Sequence, residues 1–414
     1  MRNIYVCILL YFITISAQAE ATFEWQKQHA EVLDKGDLKW APKPFIFQKG
    51  ASTRYIDFEN GNDNNEGRSP NTAWKHHPWD VNAIGKSGTN SGIHTYVFKR
   101  GVTYRGTLIA SESGESDNPI RLTSDPSWGT GEATLSGSEL VSGWKKGNAH
   151  SKMPDSEKVW STDIDFAPRG LWMVTDQATT RIPLARTPNW TVSDQEDVMS
   201  EWYVWEQPNW WETDKHKIKV NDILMHKGID TKHITKEADY YTGAYVWTEW
   251  GILIGTPYPT KVEAVVGGGL AFQGIFSRDS RKIITGNRYF LEDKPHYLDS
   301  AGEFWFEKNK NGGGRLYLRL PGDVDPSSVK IEAAKRYSII EDTASAKAPV
   351  RLDVLGNKRN DSKTVSTAGV SHVEISGLGF QFNNIWWDLD YPAWRHNQVD
   401  SAAIRLRGTS NDVR

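Results

Sequence analysis

The segment 386–400 places acidic side chains close to one another in the sequence. Asp388, Asp390 and Asp400 are its carboxylates, and His396 adds a group that exchanges protons near neutral pH. Two carboxylates can cleave a glycosidic bond when they lie about 5 Å apart in a retaining site or about 6.5–9.5 Å apart in an inverting one. We therefore predict Asp388, Asp390, Asp400 and His396 as candidate catalytic residues.

A base that acts on an acidic sugar is the alternative chemistry for the same part of the chain. Elimination needs a Lys, Arg or His near the sugar carboxylate, often with Ca²⁺ to neutralise that carboxylate. Arg395, His396, Arg405 and Arg407 supply such groups. The residues leave hydrolysis, elimination and glycan binding without catalysis open.

Aromatic residues crowd two segments and predict contact with carbohydrate. Sugars present apolar C–H faces with hydroxyl rims, so flat rings beside hydrogen-bonding groups suit them. The predicted substrate-binding residues are Trp386, Trp387, Tyr391, Trp394 and Arg395 in the later segment, and Trp205 and Trp210 in the earlier one. The alternative is that these rings pack in the protein core.

Asp57, Asp63 and Asn65 form an oxygen-rich group that could hold Ca²⁺, a hard cation that takes several oxygen ligands. Their spacing lacks the regularity and the closing Glu of an EF-hand loop. An Asx-rich turn, in which the side chains bond their own backbone, is the alternative interpretation. The residues indicate no other cofactor.

Composition excludes several classes of protein. The chain of 414 residues has 49 Lys and Arg against 52 Asp and Glu, a near-neutral balance that argues against nucleic-acid binding. Its 19 Trp, 15 Tyr, 14 Phe and 35 Gly favour strands and turns and exclude a coiled coil or helical bundle. After the N-terminal segment, no stretch approaches the ~20 apolar residues of a membrane span.

The N-terminus has the pattern of a secretory signal peptide. Arg2 precedes an apolar stretch over 4–15, and Ala17-Gln18-Ala19 is a small-residue cleavage site. Cleavage after Ala19 would remove Cys7, the one cysteine of the chain. We expect a bacterial protein that is secreted or periplasmic and stable without disulfides.

Short apolar runs separated by Gly, Asn, Asp and Pro predict an all-β fold. The predicted strands lie at 55–58, 95–98, 107–110, 120–123 and 133–136, with two more runs over 372–382 and a hairpin over 302–320. Residues 23–33 have the spacing of one short amphipathic helix. The chain ends at Arg414 on a strand pattern without a cap, so we expect further strands, and with them further catalytic groups, beyond it.

Three stretches resemble the secreted right-handed parallel β-helix proteins of bacterial polysaccharide breakdown, which are pectate-lyase-like in fold. They are YID at 55–57 with GNDNNEG at 61–67, YVFKRGVTYRG at 96–106, and RYFLE at 288–292. The resemblance implies a solenoid with an inserted antiparallel β-rich domain. It also implies a protein that acts on a polysaccharide or oligosaccharide as a glycoside hydrolase, with a polysaccharide lyase or a non-catalytic glycan-binding surface protein as the alternatives. We further expect a monomer.

This resemblance, together with the changes in composition and strand spacing along the chain, predicts five regions. They are a signal peptide (1–19), an N-terminal extension (20–52), the first β-helix turns with their cap (53–145), the inserted domain (146–335) and the resumed, incomplete β-helix (336–414).

Overall fold

The computed structural model describes residues 30–32, 38–40, 45–206, 217–251, 253–273, 283–347, 369–384, 402–406 and 409–414. Strands Ala30–Val32 (β1) and Leu38–Trp40 (β2) pair antiparallel within a first unit that ends at Ile46. The strand at 30–32 corrects the helix predicted over 23–33 for the part that is described. Phe47–Arg414 forms the second compact unit.

Short strands dominate the second unit. Up to residue 187 they are β3 (Thr53–Ile56), β4 (Thr95–Arg100), β5 (Thr103–Arg105), β6 (Leu108–Ala110), β7 (Ile120–Gly129), β8 (Ala133–Ser136), β9 (Ser138–Val141), β10 (Lys145–Lys146), β11 (Trp160–Ile164), β12 (Leu171–Val174), β13 (Thr179–Ile182) and β14 (Arg186–Thr187). From residue 203 they are β15 (Tyr203–Val204), β16 (Lys217–Val220), β17 (Ile223–Ile229), β18 (Tyr245–Trp250), β19 (Leu253–Val266), β20 (Gly269–Phe272), β21 (Arg288–Glu292), β22 (Glu303–Lys308), β23 (Gly314–Arg319), β24 (Lys330–Ala334), β25 (Ile340–Asp342), β26 (Ser371–Ile375), β27 (Leu378–Gln381), β28 (Ile404–Arg405) and β29 (Asn411–Val413).

Helices are few and short. The α-helices of the described residues are α1 (Gly85–Gly88), α2 (Ala238–Tyr241) and α3 (Thr343–Lys347). Single 3₁₀ turns lie at Pro70–Thr72, Ser156–Lys158, Pro295–Tyr297, Pro321–Asp323 and Pro326–Ser328. In the described part of the chain, no helix is long and apolar enough to cross a membrane. The prediction of a mostly β protein is confirmed.

Three parallel sheets are built by successive passes of the chain. The first has the order β29-β26-β7-β4-β3, the second β27-β8-β5 and the third β28-β25-β6. The chain visits them in the same order each time: β4, β5 and β6; then β7, β8 and, after a long excursion, β25; then β26, β27 and β28. Each sheet therefore receives one strand from each pass.

Apolar side chains of the three parallel sheets align in register and, apart from the exposed Ile404, meet in one core. The aligned sets are Tyr96, Leu122 and Ile375 in the first sheet, Tyr104, Leu135 and Phe380 in the second, and Leu108, Ile340 and Ile404 in the third. Tyr96, Leu122, Leu135, Leu108 and Ile340 are all buried in the same cluster. The burial of this cluster supplies the main hydrophobic stabilisation of the parallel sheets.

Glycines allow the sharp bends between the first and second parallel sheets. Gly101, between β4 and β5, has φ +81°, and Gly377, between β26 and β27, has φ +64°. Residues with a Cβ rarely adopt this left-handed conformation, whereas glycine does so without a steric penalty. The two strand runs predicted over 372–382 are observed as β26 and β27, on either side of Gly377.

The excursion between β8 and β25 consists of antiparallel sheets. Two are four-stranded, β10-β11-β23-β22 and β13-β12-β24-β9, and the third has the order β14-β21-β18-β19-β20-β17-β16, with β15 also paired to β21. The hairpin predicted over 302–320 is observed as β22 and β23, with Glu303 opposite Arg319. Leu171 and Ile331 of one four-stranded sheet pack with Phe304 and Leu318 of the other.

A buried ion pair joins the parallel and antiparallel sheets. Both terminal nitrogens of Arg105 in β5 donate to the carboxylate of Glu332 in β24, at 2.8 and 2.7 Å. The Ser138 hydroxyl donates to the same carboxylate at 2.7 Å. The pair is mostly shielded from solvent, with 14% and 6% of the two side chains exposed.

Candidate functional site

A cavity of about 300 Å³ lies where the sheet containing β13 meets the sheet containing β14, β18 and β21. This is the low end of the range for small-molecule sites, about 300–1,000 Å³. Among the described residues, its lining combines three arginines, one glutamate and several large apolar side chains: Arg169, Arg181, Ile182, Pro183, Leu184, Arg186, Trp190, Trp247, Phe290 and Glu292.

Strand alternation places the central lining residues on one face of the sheet. Successive residues of a strand point to opposite faces, so Phe290 and Glu292 point away from the buried Leu291 between them. Antiparallel pairing sets Arg186 opposite Glu292 and Trp247 opposite Phe290. The two cross-strand pairs thus bring a cation, an anion and two aromatic rings together.

Arg186 is a buried cation enclosed by aromatic rings. Its residue surface is 3% exposed, and its guanidinium carbon lies 3.5 Å from the ring centre of Phe290 and 5.0 Å from that of Trp190. Its Nε donates to the carbonyl of Pro188 at 3.0 Å. Within the described residues, its Nη2 is buried without a hydrogen-bond partner.

Burial lowers the pKa of Arg186 to about 10, and this shift is opposed by the negative charges of Glu292 and Glu303. The guanidinium therefore stays charged at neutral pH. A charge that is removed from water without a carboxylate in contact is costly, and an incoming anion would compensate this cost.

Arg169 connects the cavity to Asn384, which follows strand β27 of the second parallel sheet. Its Nη2 donates to Glu292 Oε1 at 3.0 Å. Its backbone N–H donates to Oδ1 of Asn384 at 3.1 Å, and the Asn384 amide donates to the carbonyl of Ala167 at 3.2 Å. Asn384 stands two residues before the segment 386–400, in which the sequence predicts substrate contacts.

Most of the predicted site residues lie outside the described part of the chain. These are Trp386, Trp387, Asp388, Asp390, Tyr391, Trp394, Arg395, His396 and Asp400, together with Trp210. Their roles remain predictions.

Trp205 is described and lies in the core of the antiparallel region. Its residue surface is 1% exposed, and its ring stacks on Tyr289 with 3.6 Å between ring centres. Its indole N–H donates to the Thr248 hydroxyl at 2.8 Å. In this position the ring packs against protein and presents no face to solvent.

The group proposed for Ca²⁺ is engaged with donors of the protein itself. Asp57 accepts hydrogen bonds from the backbone N–H groups of Glu59 and Asn60 and from the ammonium of Lys99. Despite the opposing effect of burial, these hydrogen bonds and the charge of Lys99 hold the pKa of Asp57 below its usual value.

Asp63 likewise accepts from the backbone N–H groups of Lys75, His76 and Ile84, while the amide of Asn65 donates to the carbonyl of Ala73. Among the described residues, no three His, Cys, Asp or Glu side chains gather as a metal site would require. Asp57 thus shows the local Asx bonding that the sequence left as the alternative, whereas Asp63 bonds a more distant loop; the calcium site stays a prediction.

A second buried carboxylate, Glu303 in β22, lies outside the lining of the cavity. Its residue surface is 3% exposed. Burial, with the nearby negative charge of Asp299, raises its pKa to about 8. At neutral pH Glu303 is therefore mostly protonated.

Sequence reasoning did not assemble the cavity residues into a site. Trp247 belongs to the aromatic-rich middle segment, but Arg169, Arg181 and Arg186 carry no motif. In the sequence, Arg181 and Arg186 precede Trp190 within nine residues. Two arginines near one aromatic residue are too common a pattern to indicate an anion site. The cavity depends on pairing between strands that lie more than a hundred residues apart.

Comparison with known proteins supplies a likeness in fold. No family model matches the chain, and no curated protein matches it. The chain is similar to a solved structure described as "Glycoside hydrolase", with a TM-score of 0.50 and 15% identity, over 81% of this chain and 51% of that one. It is also similar to one described as "The complex structure of XylC with xylose", with a TM-score of 0.34 and 12% identity, over 80% of this chain and 35% of that one. The chain thus spans about half the length of the first structure.

Proposed function

We propose that this chain belongs to an exported polysaccharide-degrading protein, a glycoside hydrolase built on a right-handed parallel β-helix. The three parallel sheets, visited in a fixed order around one core, support the helix. Parallel strands joined by crossover connections are right-handed in nearly all proteins, which supports the hand. The antiparallel sheets between β8 and β25 would then be the inserted domain predicted at 146–335.

The observation that carries this proposal is the likeness in fold to a structure described as a glycoside hydrolase, over 81% of this chain. A fold does not fix an activity, since function resides in sites carried by the fold. The acidic and aromatic residues of 386–400 provide the chemistry that such an enzyme needs. Their nearest described neighbour in sequence, Asn384, is bonded to Arg169 at the cavity.

In this proposal two of Asp388, Asp390 and Asp400 form the catalytic pair, one as acid and the other as nucleophile or base. His396 assists proton transfer, and Trp386, Trp387, Tyr391 and Trp394 stack on the sugar rings. To test these roles, each of the three aspartates is replaced by asparagine in a separate variant. We expect the substitution of either member of the pair to lower kcat by at least a hundredfold, because general acid–base catalysis contributes about 10²–10⁴-fold.

The assay applies the purified full-length protein to plant and algal polysaccharides and measures both reducing ends and the ultraviolet absorbance of unsaturated sugars. Reducing ends without that absorbance support hydrolysis. Unsaturated products would replace hydrolysis with elimination. Tight binding to glycan without any cleavage would leave a binding protein, and neither binding nor cleavage on any substrate would overturn the proposal.

A further inference from the structure

We propose that the cavity around Arg186 binds an acidic sugar residue, a single pyranose ring that carries a carboxylate or sulfate group. The inference rests on the proposed carbohydrate function and extends it. It assigns a site on the antiparallel sheets, formed by residues outside 386–400, and it states the charge of the ligand.

The charge of the cavity favours an anion. Three arginines face one glutamate among the described residues of the lining. Arg169 is paired with that glutamate, Glu292. Arg181 is exposed at the cavity, and no carboxylate of the described residues pairs with it. Among the described residues, Arg181 and Arg186 thus form no ion pair with a carboxylate, although the charges of Glu292 and Glu303 act on Arg186 without direct contact.

Arg186 gives the strongest argument. It is buried, it remains charged at neutral pH, and within the described chain its one side-chain hydrogen bond goes to a neutral carbonyl, that of Pro188. Proteins seldom bury a cation without a carboxylate or phosphate partner. A ligand carboxylate or sulfate would supply that partner, and hydrogen bonds to charged groups are stronger than neutral ones.

The walls of the cavity favour a ring-shaped ligand over a bare anion. Trp190 is half-exposed, at 50%, and borders the opening. Trp247 and Phe290 lie in parallel planes, 6° apart, with 5.8 Å between ring centres. The ring of Phe290 is buried against the Arg186 guanidinium, whereas Trp190 and Trp247 are at least partly exposed. Flat exposed rings bind the apolar C–H face of a sugar, while small inorganic anions gain nothing from them. A volume of about 300 Å³ is at the low end for small-molecule sites and suits a single sugar ring rather than a polymer segment.

Isothermal titration calorimetry on the full-length protein tests the proposal with four probes: galacturonate, galactose 6-sulfate, galactose and acetate. We expect both acidic sugars to bind and to bind more weakly as salt is raised, because screening weakens contacts between charges. Galactose lacks the anionic group and acetate lacks the sugar ring, so each should bind at least tenfold more weakly. Comparison of galacturonate with galactose 6-sulfate identifies the anionic group. Equal binding of galactose and galacturonate would overturn the proposal.

Variants assign the binding to this cavity. Arg181→Gln and Trp190→Ala alter exposed side chains, so both should fold, and each should weaken galacturonate binding about tenfold or more, equivalent to about 1.4 kcal/mol. Arg315→Gln removes an exposed arginine that pairs with Asp163 of the neighbouring strand, in the sheet β10-β11-β23-β22, and it should leave binding unchanged because neither residue lines the cavity. Acidic-sugar binding that survives both cavity substitutions would overturn the assignment.

The outcomes separate this inference from the proposed function. If the protein cleaves polysaccharide but the cavity binds no acidic sugar, this inference is wrong and the proposed function stands. If the protein cleaves no glycan but binds an acidic sugar, and Arg181→Gln abolishes that binding, the hydrolase proposal is wrong and the cavity stands as a binding site.

Discussion

Burial changes how the carboxylate of Glu303 titrates. Its pKa is raised from 4.5 to about 8, mainly because burial disfavours the charged form. Below pH 4.5 the group is protonated in both the folded and unfolded states, so it adds no pH dependence. Between pH 4.5 and 8 the unfolded chain releases the proton while the folded chain retains it. Stability is therefore lost as the pH rises through this window, by an amount on the order of 3–5 kcal/mol.

The Glu303→Gln substitution should remove this loss. The neutral amide resembles the protonated acid, so we expect similar stability of variant and wild type near pH 4.5 and a more stable variant at pH 8.5. Urea denaturation across this range measures the difference, with Glu157→Gln, at an exposed residue, as the control for the substitution itself. A parallel displacement of the Glu303→Gln curve at every pH would contradict the assigned titration.

Left-handed glycines position the bends between strands of the parallel sheets, and Gly101 combines a positive φ with a close steric contact. Its φ is +81°, and a Cβ added there would lie 2.5 Å from the carbonyl oxygen of Thr130. Gly147 has a similar φ of +86° but has open space around it. The two positions therefore separate backbone strain from a steric clash.

We expect Gly101→Ala to lower the free energy of unfolding by about 2–4 kcal/mol, since strain of about 1–2 kcal/mol adds to the clash. Gly147→Ala should cost only the strain, about 1–2 kcal/mol. Urea denaturation of both variants measures the difference. Equal losses would show that the chain next to Thr130 moves aside without cost.

Strands were the most predictable elements, because their signals are local. Alternating apolar residues and flanking turns identified the strands at 95–98, 120–123 and 133–136, and the Gly-rich turn of 309–314 identified the hairpin. Strand β5 (Thr103–Arg105) was missed, since only two residues separate it from the end of β4 and Tyr104 is its one large apolar side chain. The cavity was not predictable, because it requires β14 to pair with β21 in the register that sets Arg186 opposite Glu292, which neither segment encodes alone. Aromatic crowding around Trp205 could not distinguish a core ring from a binding ring, as both need the same residue type.

Two regions with different strand pairing meet within the second unit, and Arg105 and Glu332 link them. The parallel sheet contributes the arginine, the antiparallel sheet contributes the glutamate, and the Ser138 hydroxyl completes the carboxylate's hydrogen bonds. Removal of one partner leaves an uncompensated charge in a largely buried position. Such a loss costs about 3–5 kcal/mol, whereas replacement of both partners by apolar groups is often close to neutral.

A double-mutant cycle tests whether this pair couples the two regions. Arg105→Met and Glu332→Leu should each lower the free energy of unfolding by about 3–5 kcal/mol, and the double variant should lose less than the sum of the two, since neither charge is then left alone. The exposed pair Arg315–Asp163, at 44% and 72% side-chain exposure, is the matched control, and its coupling should be below about 1 kcal/mol. Equilibrium denaturation of the single and double variants gives both coupling energies. Additive losses at Arg105 and Glu332 would mean that packing, and not the ion pair, holds the parallel and antiparallel sheets together.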